Sequence, residues 1–172
     1  MAKKVTLILG GAASGKSKFA EKVCFDAKKS RIYWATSQIL DSEMQSKVEK
    51  HILQRGAGWQ TIEEPFDAEK PFKDLDTTHI LLMDCATLWL TNHLLAENDI
   101  TAETGRLTQA IEETGAEVVI VTNETGQGIV PENALARRFR EAQGRLNITL
   151  AERADTVVQV IAGLPNVLKG SL

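Results

Sequence analysis

At 172 residues and a formal charge of −3, the chain has the length of one domain, 1–172, and such a domain buries about 70% of the surface its unfolded form exposes. A hydrophobic share of 43% beside 25% charged residues excludes extensive disorder. The small negative charge argues against nucleic acid as a partner and leaves only a local basic patch for phosphate.

In chain order, Met1 to Lys4 and the short apolar run behind them cannot form a signal-peptide core or a membrane span, giving the expectation of a cytoplasmic protein. Val5 to Leu9 is a β-branched apolar run closed by Gly10 and Gly11, a buried strand entering a tight turn. A helix is predicted over Lys16 to Ala27. Apolar runs at Arg31 to Ala35, His79 to Met83, Glu117 to Thr122 and Thr156 to Ile161 alternate with helix-like stretches, the pattern of a three-layer α/β fold around a largely parallel sheet. Asp41 is a suitable N-cap for a helix running to about Arg55, where Gly56 and Gly58 stop it, and Met44, Val48, His51 and Arg55 share one face of that helix. Glu64 to Thr78, with Pro65 and Pro71, reads as a surface connection holding at most a short helix. Pro131 suits the first turn of a helix continuing through Leu150, which carries Arg137, Arg138, Arg140 and Arg145 as a solvated charged face. The two cysteines, Cys24 and Cys85, lack metal-ligand spacing and read as small buried residues.

Residues Gly10, Gly11, Ala12, Ala13, Ser14, Gly15, Lys16 and Ser17 satisfy the GxxxxGK[ST] pattern between a predicted strand and a predicted helix. Glycines let the backbone wrap phosphates, the helix N-terminus attracts negative charge, Lys16 reaches the terminal phosphates, and Ser17 is placed to ligate Mg²⁺. An acidic residue at the end of a neighbouring strand completes such a site. Asp84, which ends His79–Ile–Leu–Leu–Met–Asp84, is the candidate, with a strand-end cap as its plainer alternative. Glu124, ahead of Gly126 and Gly128, is either a substrate or metal contact or a turn carboxylate. Thr122–Asn123–Glu124–Thr125 lacks the lysine and aspartate of a guanine-reading NKxD pattern, which argues against a switch GTPase.

Together these stretches resemble the bifunctional adenosylcobinamide kinase / adenosylcobinamide-phosphate guanylyltransferase family of cobalamin synthesis. The matching residues are the P-loop with Ala20–Glu21, Tyr33–Trp34–Ala35–Thr36, Asp41 to Met44, His51 with Arg55 and Trp59, Asp84 to Asn92, and Val121 to Arg145. The resemblance spans nearly the whole chain. It implies a RecA-like sheet, a homotrimer, ATP or GTP as phosphate donor to adenosylcobinamide, and transfer of GMP from GTP to adenosylcobinamide phosphate. It also implies His51 as the guanylylated nucleophile beside the catalytic Lys16, with Arg55 and Glu63 as further nucleotide contacts. Near pH 7 a neutral imidazole has the lone pair such an attack requires. One position departs, because arginine is usual in the family's loop where this chain has Ala13. Two other functions are compatible with the loop alone, an ordinary small-molecule kinase and an ATPase or assembly module.

Overall fold

A computed structural model describes residues 4–38 and 55–172. Seven strands form one sheet: β1 (Val5–Gly10), β2 (Ser30–Ala35), β3 (Trp59–Glu63), β4 (His79–Asp84), β5 (Glu117–Asn123), β6 (Thr156–Ile161) and β7 (Leu164–Lys169). Their order is β3-β2-β4-β5-β1-β6-β7, parallel throughout except for the antiparallel β6–β7 hairpin at one edge. Among the described residues four α-helices are complete: α1 (Lys16–Asp26), α2 (Ala86–Leu95), α3 (Ile100–Glu113) and α4 (Ala134–Arg153).

Strand apolar runs are continuous because both faces are covered. On one face Leu7, Trp34, Leu81, Met83, Val118 and Ile120 pack with α2, α3 and α4. On the other, Ile8, Tyr33, Ile80, Leu82, Val119 and Val121 pack against Ala20 and Cys24 of α1. Alternate residues of each run therefore serve opposite layers. Burial pushes the Cys85 thiol up to about 12 and raises that of Cys24 as well; both cysteines are free and buried.

Three sequence expectations change. The sheet extends beyond the five apolar runs: β3 adds an edge of mixed polarity, and β7 is exposed along its whole length. α4 starts at Ala134 rather than at Pro131, because the Asn133 side chain accepts the Ala136 N–H (3.1 Å) and caps the helix there. The 64–78 connection is more than a surface link. Ala68, Pro71 and Phe72 are buried, Lys70–Phe72 forms a short 3₁₀ turn, and its backbone carbonyls are engaged from within. Trp34 Nε1 donates to Glu64 O (2.7 Å), Asn92 Nδ2 to Pro65 O (3.0 Å), and Trp89 Nε1 and His93 Nε2 to Phe66 O (3.2 and 3.1 Å). Of the helix expected from Asp41, only Arg55 is helical among the described residues; Met44, Val48 and His51 lie outside them. Gly56 and Gly58 follow with φ of 69° and 89°, as a glycine stop requires.

Fully buried Thr36, just beyond β2, ties that strand to the start of α2. Its hydroxyl donates to Cys85 O (2.8 Å) and accepts the Cys85 N–H (2.9 Å). Replacing it by the near-isosteric valine orphans the buried Cys85 N–H, while Cys85 O keeps the Trp89 N–H (3.2 Å). Thr36→Val should cost on the order of 2 kcal/mol or more, read as a lower urea midpoint at unchanged slope; an unchanged midpoint would show that this clasp adds nothing.

Candidate nucleotide site

Except for Arg55, which precedes β3, the described site residues lie at or just beyond the carboxyl ends of the parallel strands, where open α/β sheets bind ligands. The Gly10–Ser17 loop joins β1 to α1. It turns through two left-handed residues, Ala13 (φ 53°) and Gly15 (φ 93°), the latter flanking the first residue of α1. Lys16 Nζ donates to Gly11 O (3.0 Å), so the ammonium folds back over the loop.

The loop is shaped by its neighbours as much as by its glycines. A Cβ on Gly10 would lie 2.5 Å from Ser14 Oγ and 2.6 Å from Val160 O, and one on Gly15 would lie 3.1 Å from Gly163 Cα. Gly163 N donates to Ser14 O (2.8 Å). The hairpin residues Ala162 and Gly163 both have positive φ (52° and 78°), the backbone twist of a tight two-residue β-turn. The β6–β7 hairpin thus acts as a wall to the loop. On the other side, Glu124 N donates to Gly10 O (3.1 Å), while the Glu124 carboxylate turns back to accept from Gly126 N.

Asp84 ends β4, and β5 stands between it and β1. It is therefore not on the strand directly beside the loop. Two inter-strand spacings put the two strand ends about 10 Å apart, with Asn123 and Glu124 between. Tyr33 Oη donates to Asp84 Oδ2 (2.8 Å); among the described residues no hydrogen bond engages Oδ1. Arg55 lies with its guanidinium carbon 3.3 Å from the centroid of the Tyr33 ring. It is 5% exposed, and among the described residues its Nη1 has no hydrogen-bond partner. Exposed Glu63 ends the edge strand β3, four spacings or about 19 Å from β1, too far to touch a phosphate held in the loop. Ala13 is exposed. Among the described residues no group of three or more His, Cys, Asp or Glu side chains could hold a metal ion alone.

Two arginines of α4 serve the backbone of the 124–133 segment. Arg140 donates to Gly126 O, Gly128 O (2.9 Å) and Ile129 O (3.1 Å), and Arg137 to Pro131 O (2.9 Å) and Glu132 O. Below them the Thr122 hydroxyl donates to Asn147 Oδ1 (2.7 Å), and Asn147 Nδ2 donates to Asn123 O (3.0 Å). Gln143 Nε2 donates to Thr122 Oγ1 (2.9 Å). Sequence reading assigned no role to Tyr33, Thr36 or Gly163. Tyr33 and Thr36 stand in one of the stretches that match the family, and the turn-forming pair at 162–163 is the signal for Gly163.

Residues 6–168 match the family described as cobinamide kinase / cobinamide phosphate guanyltransferase. The chain belongs to that family. It is 40% identical to the bifunctional adenosylcobalamin biosynthesis protein CobP of Pseudomonas aeruginosa, across 95% of this chain and 96% of the relative. It is 42% identical to the CobU protein of the same description from Salmonella typhimurium, across 92% and 96%. The fold is also that of P-loop ATPases: the RadB recombinase superposes with a TM-score of 0.52 at 17% identity, covering 91% of this chain and 73% of that one. A second solved structure, an ATPase domain, gives 0.52 at 11% identity, covering 91% and 69%. Among the described residues no helix is long and apolar enough to cross a membrane.

The contacts around the loop separate its glycines. Gly10→Ala should weaken binding of a fluorescent GTP analogue at least about tenfold, since backbone and Ser14 would have to move by several tenths of an ångström to admit the Cβ. Gly11→Ala, which meets nothing within 4 Å, should bind within about threefold of the parent chain. Equal affinities for the two variants would contradict the packing described here.

Proposed function

We propose that this chain carries out both reactions of its family: phosphorylation of adenosylcobinamide by ATP or GTP, and transfer of GMP from GTP onto the resulting phosphate. The product is adenosylcobinamide-GDP, with pyrophosphate released. The single observation that carries this reading is the match to bifunctional relatives over nearly the whole length of both chains. The strand–loop–helix at Gly10–Ser17 supports it.

In the first reaction the loop amides and the α1 N-terminus hold the phosphates, and Lys16 lies against the charge that develops on the transferred group. The acceptor hydroxyl attacks the γ-phosphorus and the nucleoside diphosphate leaves. Ser17 supplies a hydroxyl and Asp84 a carboxylate oxygen, hard donors of the kind that suit Mg²⁺ shared with phosphates and water. The bound ion would neutralise phosphate charge.

For the second reaction the His51 imidazole attacks the α-phosphorus of GTP, expelling pyrophosphate and forming a phosphorus–nitrogen bond. A phosphate oxygen of adenosylcobinamide phosphate then takes GMP from the nitrogen, which restores the imidazole. His51 lies outside the described residues. Arg55 and Glu63, at the β2–β3 end of the row, are assigned to the nucleotide of this step. The same reading includes one catalytic domain over 1–172, a homotrimer, and work in the cytoplasm.

Two outcomes test the assignment. Folded Lys16→Ala should lose at least about a hundredfold in adenosylcobinamide phosphorylation, with near-normal turnover refuting the role of the loop lysine. Label from the α-phosphate of GTP should remain on denatured protein in an acid-labile, alkali-stable form, label from the γ-phosphate should not, and His51→Ala should abolish the adduct. Persistent label on His51→Ala moves the nucleophile elsewhere, and no label on the parent chain favours a plain kinase.

A further inference from the structure

We infer that Tyr33 is a positioning residue for the transfer site, its hydroxyl aiming Asp84 and its ring seating Arg55 so that the carboxylate and the guanidinium are kept from pairing with each other. The inference rests on the reading of Asp84 as the carboxylate on the metal side of the nucleotide.

Tyr33 lies near the middle of β2, 6% exposed, in register with Leu82 of β4 and Thr61 of β3. A buried phenol needs a partner for its O–H. Here the partner is a carboxylate, Asp84 Oδ2 at 2.8 Å, and a hydrogen bond to an ionised acceptor is stronger and more directional than one between neutral groups. With Oδ2 fixed, the free oxygen Oδ1 has a set direction.

The ring of the same residue holds the cation. Arg55 stacks on it at 3.3 Å, and the Trp59 indole meets it edge-on, with centroids 6.0 Å apart and planes at 88°. A guanidinium over an aromatic face is favourably held without using its N–H donors. Among the described residues Arg55 Nη1 has no partner although the side chain is buried, an arrangement costly to keep unless an anion is to receive it. A half-buried carboxylate and a buried guanidinium that contact the same tyrosine would each be stabilised by pairing with the other. Among the described residues they do not pair; Tyr33 contacts both and each keeps an unengaged atom.

The test is a double-mutant cycle on the full chain, reading equilibrium binding of a fluorescent non-hydrolysable GTP analogue as Mg²⁺ is titrated, with no turnover involved. Tyr33→Phe keeps the ring, and so the Arg55 seat. It should raise the half-saturating Mg²⁺ about tenfold or more, the usual effect of removing a group that orients a metal ligand. Its affinity for the analogue without Mg²⁺ and its melting temperature should stay close to those of the parent. Asp84→Asn should raise the Mg²⁺ requirement by itself, and Tyr33→Phe added to it should change nothing further. A shift for Asp84→Asn with none for Tyr33→Phe, or independent effects that multiply in the double variant, would overturn the positioning role. If neither single variant moves the Mg²⁺ midpoint, the metal-side reading of Asp84 falls, and this inference with it.

Discussion

The close approach of three backbone segments at Gly10 is the constraint from which the nucleotide site follows. β1 ends there with Val160 O and Ser14 Oγ already occupying the space a side chain would need, and Gly163 N closes the far side by bonding Ser14 O. The loop's course is therefore fixed by packing between β1 and the β6–β7 hairpin as well as by glycine freedom. An edge hairpin that looks peripheral, with β7 exposed along its length, acquires a reason to exist: it is the outer wall of the phosphate loop.

A parallel sheet does the rest. Because the six parallel strands end on the same side, Ser17, Asp84, Glu124 and Glu63 are brought to one margin although they are scattered between positions 17 and 124, and Arg55, which precedes β3, lies over the Tyr33 ring. Strand order then sorts them by distance. Asp84 is two spacings from the loop strand and Glu63 four, which divides the margin into a phosphate end and a far end. A family that performs two successive transfers on one acceptor has use for such a division, and the ring of Tyr33 stands between the carboxylate of one part and the guanidinium of the other.

Much of this was legible in the chain because some signals are local. Five strands showed as apolar-rich runs, since a strand covered on both faces has few places for polar side chains, and Thr6, Thr122 and Thr156 are the small buried exceptions. The P-loop announced itself by spacing, and α1 followed within a residue of its predicted end. What stayed hidden depended on contacts between distant residues. Thr122–Asn123–Glu124 was readable as the wrong pattern for a guanine switch, yet nothing local shows that Gln143 and Asn147, twenty residues on, bond the end of that strand. The arginines of α4 looked like a solvated face, whereas Arg137 and Arg140 reach back to five carbonyls of the preceding loop. Strand order was likewise not in the periodicity, so Asp84 was expected beside the loop strand and is found one strand further away. Pro131 misled because proline tolerates a first turn but does not demand one, and Asn133 supplied the stronger cap.

If one chain performs both transfers on one acceptor, both products must come from it alone. Mass spectrometry of the products follows this when the purified chain is incubated with adenosylcobinamide, GTP and Mg²⁺. Adenosylcobinamide phosphate should appear first and adenosylcobinamide-GDP after it, with pyrophosphate in step with the second product; a reaction that stops at the phosphate, or corrinoid that is never phosphorylated, would rule out the double transfer.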